Sequence, residues 1–183
     1  LVSAVSARES RLDVLVNNAG AAWGAPLEEY PESGFDKVFA INVKAVFYLT
    51  VRFLPLLRAA ASPDDPARVI NIGSVDGIRV PVMENYAYSA AKAGVLALTR
   101  VAAAENGRFG IRVNAIAPGL IYNEFLRRIY PDEFFEGYAE KRSLVGRVGR
   151  PEDVAALVSF LVGPEAGYIT GEVYGISGGV YPV

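Results

Sequence analysis

The chain has 183 residues, of which 52% are hydrophobic and 21% charged, and its formal net charge is −2. It contains no cysteine and no histidine, which excludes disulfides, thiolate metal sites, cysteine nucleophiles and imidazole bases. The charge balance offers no basic face for nucleic acid, and no apolar run approaches the ~20 residues of a membrane span. We therefore expect a cytoplasmic protein without metal, nucleic-acid or membrane partners, whose chemistry uses Ser, Tyr, Lys, Asn or carboxylates.

Short apolar runs of strand length alternate with longer helical patterns. The first three runs are nearly continuous rather than alternating, which is typical of strands buried on both faces of a parallel sheet. The predicted strands are residues 13–17, 68–72, 111–116 and 172–176.

Three helices are predicted between and after these strands. The first follows a capping box formed by Ser33 and Asp36 and runs to about Thr50. The second covers about residues 86–109, and the third covers 151–162, with proline in its first turn. This alternation predicts one α/β domain with a Rossmann-type, doubly wound parallel sheet, whose ligands bind outside the carboxyl ends of the strands.

Two strand ends carry residues suited to ligand contact. Asn17-Asn18-Ala19-Gly20 closes the first strand, where amides and a glycine allow close approach of a flat ligand. Ser74 follows the second strand, and its hydroxyl could donate to a carbonyl oxygen that gains negative charge. Ordinary turn or capping roles remain the alternative for both segments.

The predicted helices add a phenol, an ammonium and a buried amide. Tyr88 and Lys92 lie one helical turn apart on a shared face, so the ammonium could lower the pKa of the phenol and make it a proton donor or acceptor. Asn42 interrupts the apolar face of the first helix. A chance pairing in the first case, and a locally satisfied kink in the second, stay open.

Two familiar functional motifs, a hydrolase nucleophile elbow and a glycine-rich phosphate loop, are excluded. Gly175-Ile176-Ser177-Gly178-Gly179 has the spacing of a hydrolase nucleophile elbow, but the chain has no histidine base and too few residues after it for a helix. No glycine-rich G-x-G-x-x-G or phosphate-loop pattern occurs in the sequence.

In their order along the chain, the candidate residues resemble the short-chain dehydrogenase/reductase family. The resemblance implies an NAD(P)-dependent oxidoreductase that transfers a hydride between nicotinamide and a carbonyl or secondary alcohol, with protein groups supplying position and electrostatics. The motifs that carry it are Asn17-Asn18-Ala19-Gly20, Asn42, Ser74, Tyr88-x-x-x-Lys92, Arg112-Val113-Asn114, Pro118-Gly119 and the segment 149–171.

The resemblance also implies a role for each catalytic residue. Tyr88 would exchange the proton with the substrate oxygen, and Ser74 would polarise the carbonyl. Lys92 would lower the pKa of Tyr88 and hold the nicotinamide ribose. Asn42 would anchor a water in the proton relay.

Further residues are implied to line the cofactor, NADP(H) or NAD(H), with the former favoured. Asn123 stands where the family often has a threonine that contacts the carboxamide, and an asparagine can make a similar hydrogen bond. Tyr88 and Lys92 are shared with the catalytic set. The other positions are Asn17, Ala19 and Gly20 at the adenosine half, and Pro118, Gly119 and Ile121 at the nicotinamide.

A narrower resemblance, over residues 17–30, 62–68 and 71–88, is to 3-oxoacyl reductases linked to rhamnolipid biosynthesis. It implies NADPH and a carbonyl substrate of the 3-oxoacyl thioester class. Independently of it, the segment 120–138 is rich in Leu, Ile, Phe and Tyr and could form an apolar lid over the substrate. An amphipathic helix packed on its own domain is the alternative. The basic residues that could meet an acidic acyl carrier are Arg127, Arg128, Lys141 and Arg142.

The chain begins with Leu1 rather than methionine, and by the family pattern the first three strands and the glycine-rich loop would precede it. We therefore expect residues 1–183 to form a single domain that lacks those N-terminal parts. Family members commonly assemble, so a homotetramer or homodimer is expected. A catalytically inactive fragment that acts only as an oligomerisation or interaction module remains the alternative function.

Overall fold

Four parallel strands form one sheet in the order β1-β2-β3-β4. The computed structural model describes residues 1–180 and, for Phe125, the backbone alone. The strands are β1 (Val14–Asn17), β2 (Ala67–Ile72), β3 (Ile111–Pro118) and β4 (Val173–Ile176). The helices are α1 (Val2–Ser6), α2 (Glu32–Phe39), α3 (Val46–Ala60), α4 (Tyr86–Asn106), α5 (Glu124–Arg127), α6 (Asp132–Arg142) and α7 (Pro151–Val162).

The predicted first helix is longer than expected and contains a π-helical segment. Helices α2 and α3 are joined without a break by Ala40–Ala45, which has π-helical hydrogen bonding. The capping box predicted at Ser33 is wrong, because α2 begins at Glu32 after Pro31 and has no side-chain cap. The segment 32–60 is long and apolar enough, by length and composition alone, to cross a membrane. In this structure one side of it packs inside the domain, with Val38 and Leu57 fully buried, while Phe47 and Tyr48 are exposed.

Helices cover the two faces of the sheet as the strand pattern predicts. On one face, Val69 of β2 and Val113 of β3 pack against Phe53 and Leu57 of α3. On the other face, Ile70 and Ile116 pack against Leu161 of α7. Because successive residues of a strand point to opposite faces, the continuous apolar runs in β2 and β3 serve both layers.

The sheet edge at β1 is less well covered. Leu15 packs into the layer formed with α3, whereas Val16, on the other face of the strand, is 41% exposed. Among the residues that the structure describes, β1 pairs with β2 alone. This strand therefore presents one open edge and one poorly covered apolar face within the part of the chain that the structure describes.

Candidate active site

The carboxyl ends of β1, β2 and β3 surround a cavity of about 400 Å³. Open parallel sheets bind ligands at this edge, because the strand-end loops meet there. The walls contain Ser74 from the end of β2, Tyr88 and Lys92 from α4, and Gly119 from the end of β3. The structure thus brings together residues that lie far apart in the sequence.

Ser74 begins a short 3-10 turn, Val75–Gly77, which lies against α4. Its Oγ accepts a hydrogen bond from the Asp76 amide at 3.1 Å, and the residue is buried. A Cβ on Gly77 would lie 2.7 Å from Ala93 N and from Lys92 C, so only glycine lets the turn approach the α4 backbone this closely. This contact fixes the position of Ser74 relative to Tyr88 and Lys92.

Tyr88 faces the cavity with its phenol in protonated form at neutral pH. Burial raises the pKa of Tyr88 above its ordinary value, the Asp76 carboxylate raises it further, and the neighbouring Ser74 hydroxyl lowers it. The Lys92 Nζ is 5.6 Å from the centre of the Tyr88 ring. Burial thus has the largest effect on the pKa of Tyr88, and the lowering of this pKa by Lys92 stays a prediction.

Lys92 is a buried ammonium that faces the same cavity. Burial lowers the pKa of Lys92 to about 8, because the charged form loses its hydration. Its Nζ donates to the Ile72 carbonyl at the end of β2, at 2.7 Å. An ammonium has three donors, so this anchor leaves donors for a ligand in the cavity.

Asn42 joins the π-helical segment to the loop after β1. Its side chain is fully buried, accepts from the Ala21 amide at 3.0 Å and donates to the Ala21 carbonyl at 2.6 Å. The amide is thus satisfied by backbone, and π turns of this kind are frequent at functional sites. A Cβ on Gly20 would lie 3.0 Å from Asn42 Oδ1 and 3.7 Å from Lys92 Nζ, which makes this loop one wall of a narrow cradle.

The predicted contact of Asn17 with a cofactor is not supported, because this side chain lies inside the protein. Asn17 is buried, and its Nδ2 donates to Asn71 Oδ1 at 2.8 Å and to Thr50 Oγ1 at 3.2 Å. It links the ends of β1 and β2 to α3 instead of lining the cavity. Neither Asn17 nor Ala19 lines the cavity, whereas Asn18, which is not among the residues that the resemblance implies, does.

Pro118 at the end of β3 and Gly119 and Ile121 in the loop after it line the cavity, as the resemblance implies. Asn123 also reaches the cavity, but its Oδ1 accepts from the Leu126 amide at 2.9 Å, and its Nδ2 donates to the Ile121 carbonyl at 3.3 Å. This side chain therefore caps α5, and its second Nδ2 hydrogen and second Oδ1 lone pair remain for the predicted carboxamide contact.

The segment after Leu120 closes the cavity with apolar and aromatic side chains. Leu126 of α5 and Phe134 and Tyr138 of α6 line the cavity, and Val82 and Met83 face it from the loop before α4. Phe135 is buried beneath this layer. The arrangement agrees with a lid that offers an apolar surface to a substrate.

The nicotinamide-ribose end of a dinucleotide fits these residues. The space beside Gly20, which a Cβ would fill, matches a flat ring. The buried Lys92 ammonium has free donors for a pair of sugar hydroxyls. The sequence contains no glycine-rich phosphate loop for the pyrophosphate. The fit therefore concerns that one end of the cofactor.

Comparison with known proteins gives the family. The family model described as enoyl-(acyl carrier protein) reductase matches residues 1–181. The rhamnolipids biosynthesis 3-oxoacyl-[acyl-carrier-protein] reductase of Pseudomonas aeruginosa is 46% identical over 183 residues, which cover 99% of this chain and 71% of that protein. This chain belongs to the short-chain dehydrogenase/reductase family.

Further short-chain dehydrogenases/reductases are similar over nearly the whole chain. The 3-oxoacyl-[acyl-carrier-protein] reductase FabG of Thermotoga maritima is 39% identical, and the match covers 98% of this chain and 70% of that protein. Among solved structures, the Pseudomonas aeruginosa RhlG/NADP active-site complex superimposes with a TM-score of 0.91 at 45% identity, covering 98% of this chain and 70% of that one. A Burkholderia xenovorans protein described as a short-chain dehydrogenase/reductase has a TM-score of 0.86 at 30% identity, with 98% and 69% coverage. The predicted Rossmann-type fold and family are thereby confirmed.

Proposed function

We propose that this oxidoreductase reduces the 3-keto group of 3-oxoacyl thioesters with NADPH and uses Tyr88 as the proton donor. The observation that carries the proposal is the convergence of the Ser74 and Tyr88 hydroxyls and the Lys92 ammonium on one cavity. The names of two relatives support the substrate class, and the NADP complex of a structural relative supports the cofactor.

Each side chain has a chemical role that its contacts allow. The Ser74 oxygen accepts from the Asp76 amide, and its hydroxyl, which neighbours the Tyr88 phenol, would donate its proton to a substrate carbonyl that binds between them. Because the pKa of Tyr88 is raised, the phenol is protonated at neutral pH and can give its proton to the oxygen as negative charge develops there. Lys92, anchored on Ile72, would hold the ribose hydroxyls. When bound, the nicotinamide supplies the hydride.

The lid and the basic residues bear on the substrate and its carrier. The apolar surface of Val82, Met83 and Leu126 suits the hydrocarbon part of an acyl chain. Of the basic residues predicted to meet an acidic carrier, Arg128 already pairs with Glu124 at 2.8 Å, and the Arg127 guanidinium lies 5.2 Å from the centre of the Tyr122 ring. A carrier-linked substrate would therefore compete for one of these contacts.

The first test is titration of the chain with NADPH and with NADH, followed by the fluorescence of the reduced nicotinamide. We expect saturable binding, tighter for NADPH. Turnover is then measured as the loss of reduced nicotinamide in the presence of a 3-oxoacyl thioester. The Tyr88→Phe variant is expected to bind NADPH but to lose roughly 100-fold or more in kcat, because it lacks the proton donor.

The matched control is Tyr86→Phe, which removes an exposed hydroxyl from the same helix outside this cavity. This variant should keep the kcat of the original chain. NADPH binding without turnover of any ketone, or equal kcat for Tyr88→Phe and the original chain, contradicts the proposal.

An interaction module remains a second candidate function because α3 presents apolar side chains to solvent. Phe47, Tyr48 and Val51 are between 41% and 46% exposed, and the Phe47 and Tyr48 rings contact each other edge to face. Such a face suits a second copy of the chain, as expected for a homodimer or homotetramer. Failure to bind either dinucleotide, together with a defined oligomer in sedimentation, would favour this function over catalysis.

A further inference from the structure

Arg79 lies two residues after the Val75–Gly77 turn and lines the active-site cavity. Its Nη2 donates to the Tyr138 hydroxyl of α6 at 3.2 Å and lies 3.6 Å from Asp76 Oδ1. The Nε atom is buried without a partner among the residues that the structure describes. A guanidinium has five N–H donors, so the contacts with Tyr138 and Asp76 leave donors for a ligand in the cavity.

Asp76 connects Arg79 to the reaction centre. Its backbone amide donates to Ser74 Oγ at 3.1 Å, while its carboxylate faces the Arg79 guanidinium. Ser74 and Arg79, which would each hold a substrate oxygen, are thus linked through Asp76 and line the same cavity. This arrangement suits a substrate whose second oxygen is only a few bonds from the reacting carbonyl.

The charge of this pair decides which second oxygen is favoured. The Asp76 carboxylate also accepts from Asn85 Nδ2 at 3.1 Å, and its side chain is only 13% exposed. Arg79 and Asp76 together carry no net charge. A substrate carboxylate would meet the Asp76 charge in a poorly hydrated site, whereas a neutral carbonyl oxygen would accept from the guanidinium without that repulsion.

We propose that Arg79 is a specificity-determining residue that binds the second, uncharged carbonyl oxygen of a 1,3-dicarbonyl substrate, an ester or thioester of a 3-oxo acid. The inference rests on the proposed function, because it places the reacting 3-keto oxygen at Ser74 and Tyr88. Sites that hydrogen-bond a substrate group discriminate strongly against analogues that lack it.

The test compares ethyl acetoacetate with 2-heptanone, a ketone of the same chain length without the second carbonyl, and with acetoacetate, which has a carboxylate instead. We expect the unaltered chain to have the highest kcat/KM for the ester. Arg79→Met should lower the ratio of kcat/KM values, ester over 2-heptanone, roughly tenfold or more. Asp76→Asn should raise the use of acetoacetate relative to the ester.

Tyr138→Phe separates substrate binding by Arg79 from support of α6, because it removes the acceptor of Arg79 on α6 but keeps the guanidinium. Since Tyr138 also lines the cavity, its loss is expected to change kcat/KM for both substrates by the same factor. The ester over 2-heptanone ratio should stay as in the unaltered chain. The inference is wrong if Arg79→Met lowers kcat/KM for both substrates by the same factor. It is also wrong if Tyr138→Phe changes the ratio as much as Arg79→Met does, because Arg79 then only holds α6.

Binding measured by ligand-observed NMR separates this inference from the proposed function. If no ketone is reduced, the proposed function fails, and the inference is then judged from affinity alone. Weaker binding of ethyl acetoacetate to Arg79→Met, with unchanged binding of 2-heptanone, supports it. Equal affinities of the ester for both proteins overturn it.

Discussion

At the scale of single residues, the buried position of the Lys92 ammonium carries a free-energy cost. Burial lowers its pKa to about 8 from an ordinary value of 10.5. Each unit of such a shift corresponds to roughly 1.4 kcal/mol, so keeping Lys92 charged at neutral pH costs on the order of 3 kcal/mol. A side chain that only filled space would not need a charge, and this cost indicates that the ammonium serves the site.

This cost predicts a pH dependence of stability. The unfolded chain binds more protons at Lys92 than the folded chain between pH 8 and 10.5. The penalty is therefore complete below about pH 8 and shrinks as the pH rises, so the free energy of unfolding should rise through this window. In Lys92→Met this contribution to the rise should be absent. Urea unfolding at about pH 7 and pH 9.5 measures the difference.

The control for this experiment is Lys141→Met, which removes an exposed lysine at the end of α6. It should follow the pH dependence of the original chain. The upper pH limit keeps Tyr88 out of the measurement, since the raised pKa of that phenol gives a loss of stability only above its ordinary value of 10. If the free energy of unfolding changes with pH by the same amount in Lys92→Met and in the original chain, the prediction that Lys92 is buried and charged in the folded protein is wrong.

At the scale of elements, the contact between the Val75–Gly77 turn and α4 holds the catalytic groups in register. The contact depends on Gly77, whose missing side chain leaves room for the Lys92–Ala93 backbone. Backbone atoms cannot rotate away as a flexible side chain could. Any larger residue must therefore move the turn, and Ser74 with it, away from Tyr88.

Gly77→Ala should consequently lower both stability and catalysis. We expect a loss of roughly 1–3 kcal/mol in the free energy of unfolding, typical of an overpacked contact, together with a lower kcat. Gly107→Ala is the matched control, because a Cβ there would meet nothing within 4 Å. That variant should change stability by no more than about 0.5 kcal/mol. Equal melting temperatures and kcat for the two variants would show that the turn can shift at no cost.

The strands could be predicted from the sequence because burial on both faces leaves a continuous apolar signal. All four observed strands lie within two residues of the predicted bounds, and α7 has the predicted bounds. The π-helical segment around Asn42 could not be predicted, since one extra residue in a helical turn leaves no periodic mark in an apolar stretch. The start of α2 was misplaced because Ser33 and Asp36 have the spacing of a capping box. In the structure, Pro31 is the N-cap residue and the helix begins at Glu32 without a side-chain cap.

The candidate site was predictable to the extent that its residues follow strand ends or share a helix face. Ser74, Tyr88 and Lys92 reach one cavity for those reasons. Which of Asn17 and Asn18 faces the cavity depends on the pairing of Asn17 with Asn71 across the strands, and this requires the register of the sheet. The pKa of Tyr88 depends on burial, and this too is a property of the folded chain.

At the scale of the whole molecule, the sheet combines a well-covered centre with an open edge. Strands β2 and β3 have helices on both faces, whereas Val16 of β1 remains 41% exposed and β1 has one strand neighbour within the described residues. An exposed apolar edge strand offers unpaired backbone groups to a second molecule. The 183-residue chain by itself is therefore expected to associate through β1.

This association predicts that light scattering rises with protein concentration for the unaltered chain and rises less for Val16→Lys, because a charge on an edge strand opposes strand pairing between molecules. Val80→Lys is the matched control, since Val80 is 87% exposed but lies in the loop before α4. It should scatter as the unaltered chain does. The prediction is wrong if the chain is monodisperse and melts in one sharp cooperative transition, and if Val16→Lys changes neither property. The open edge of β1 would then not cause association in solution.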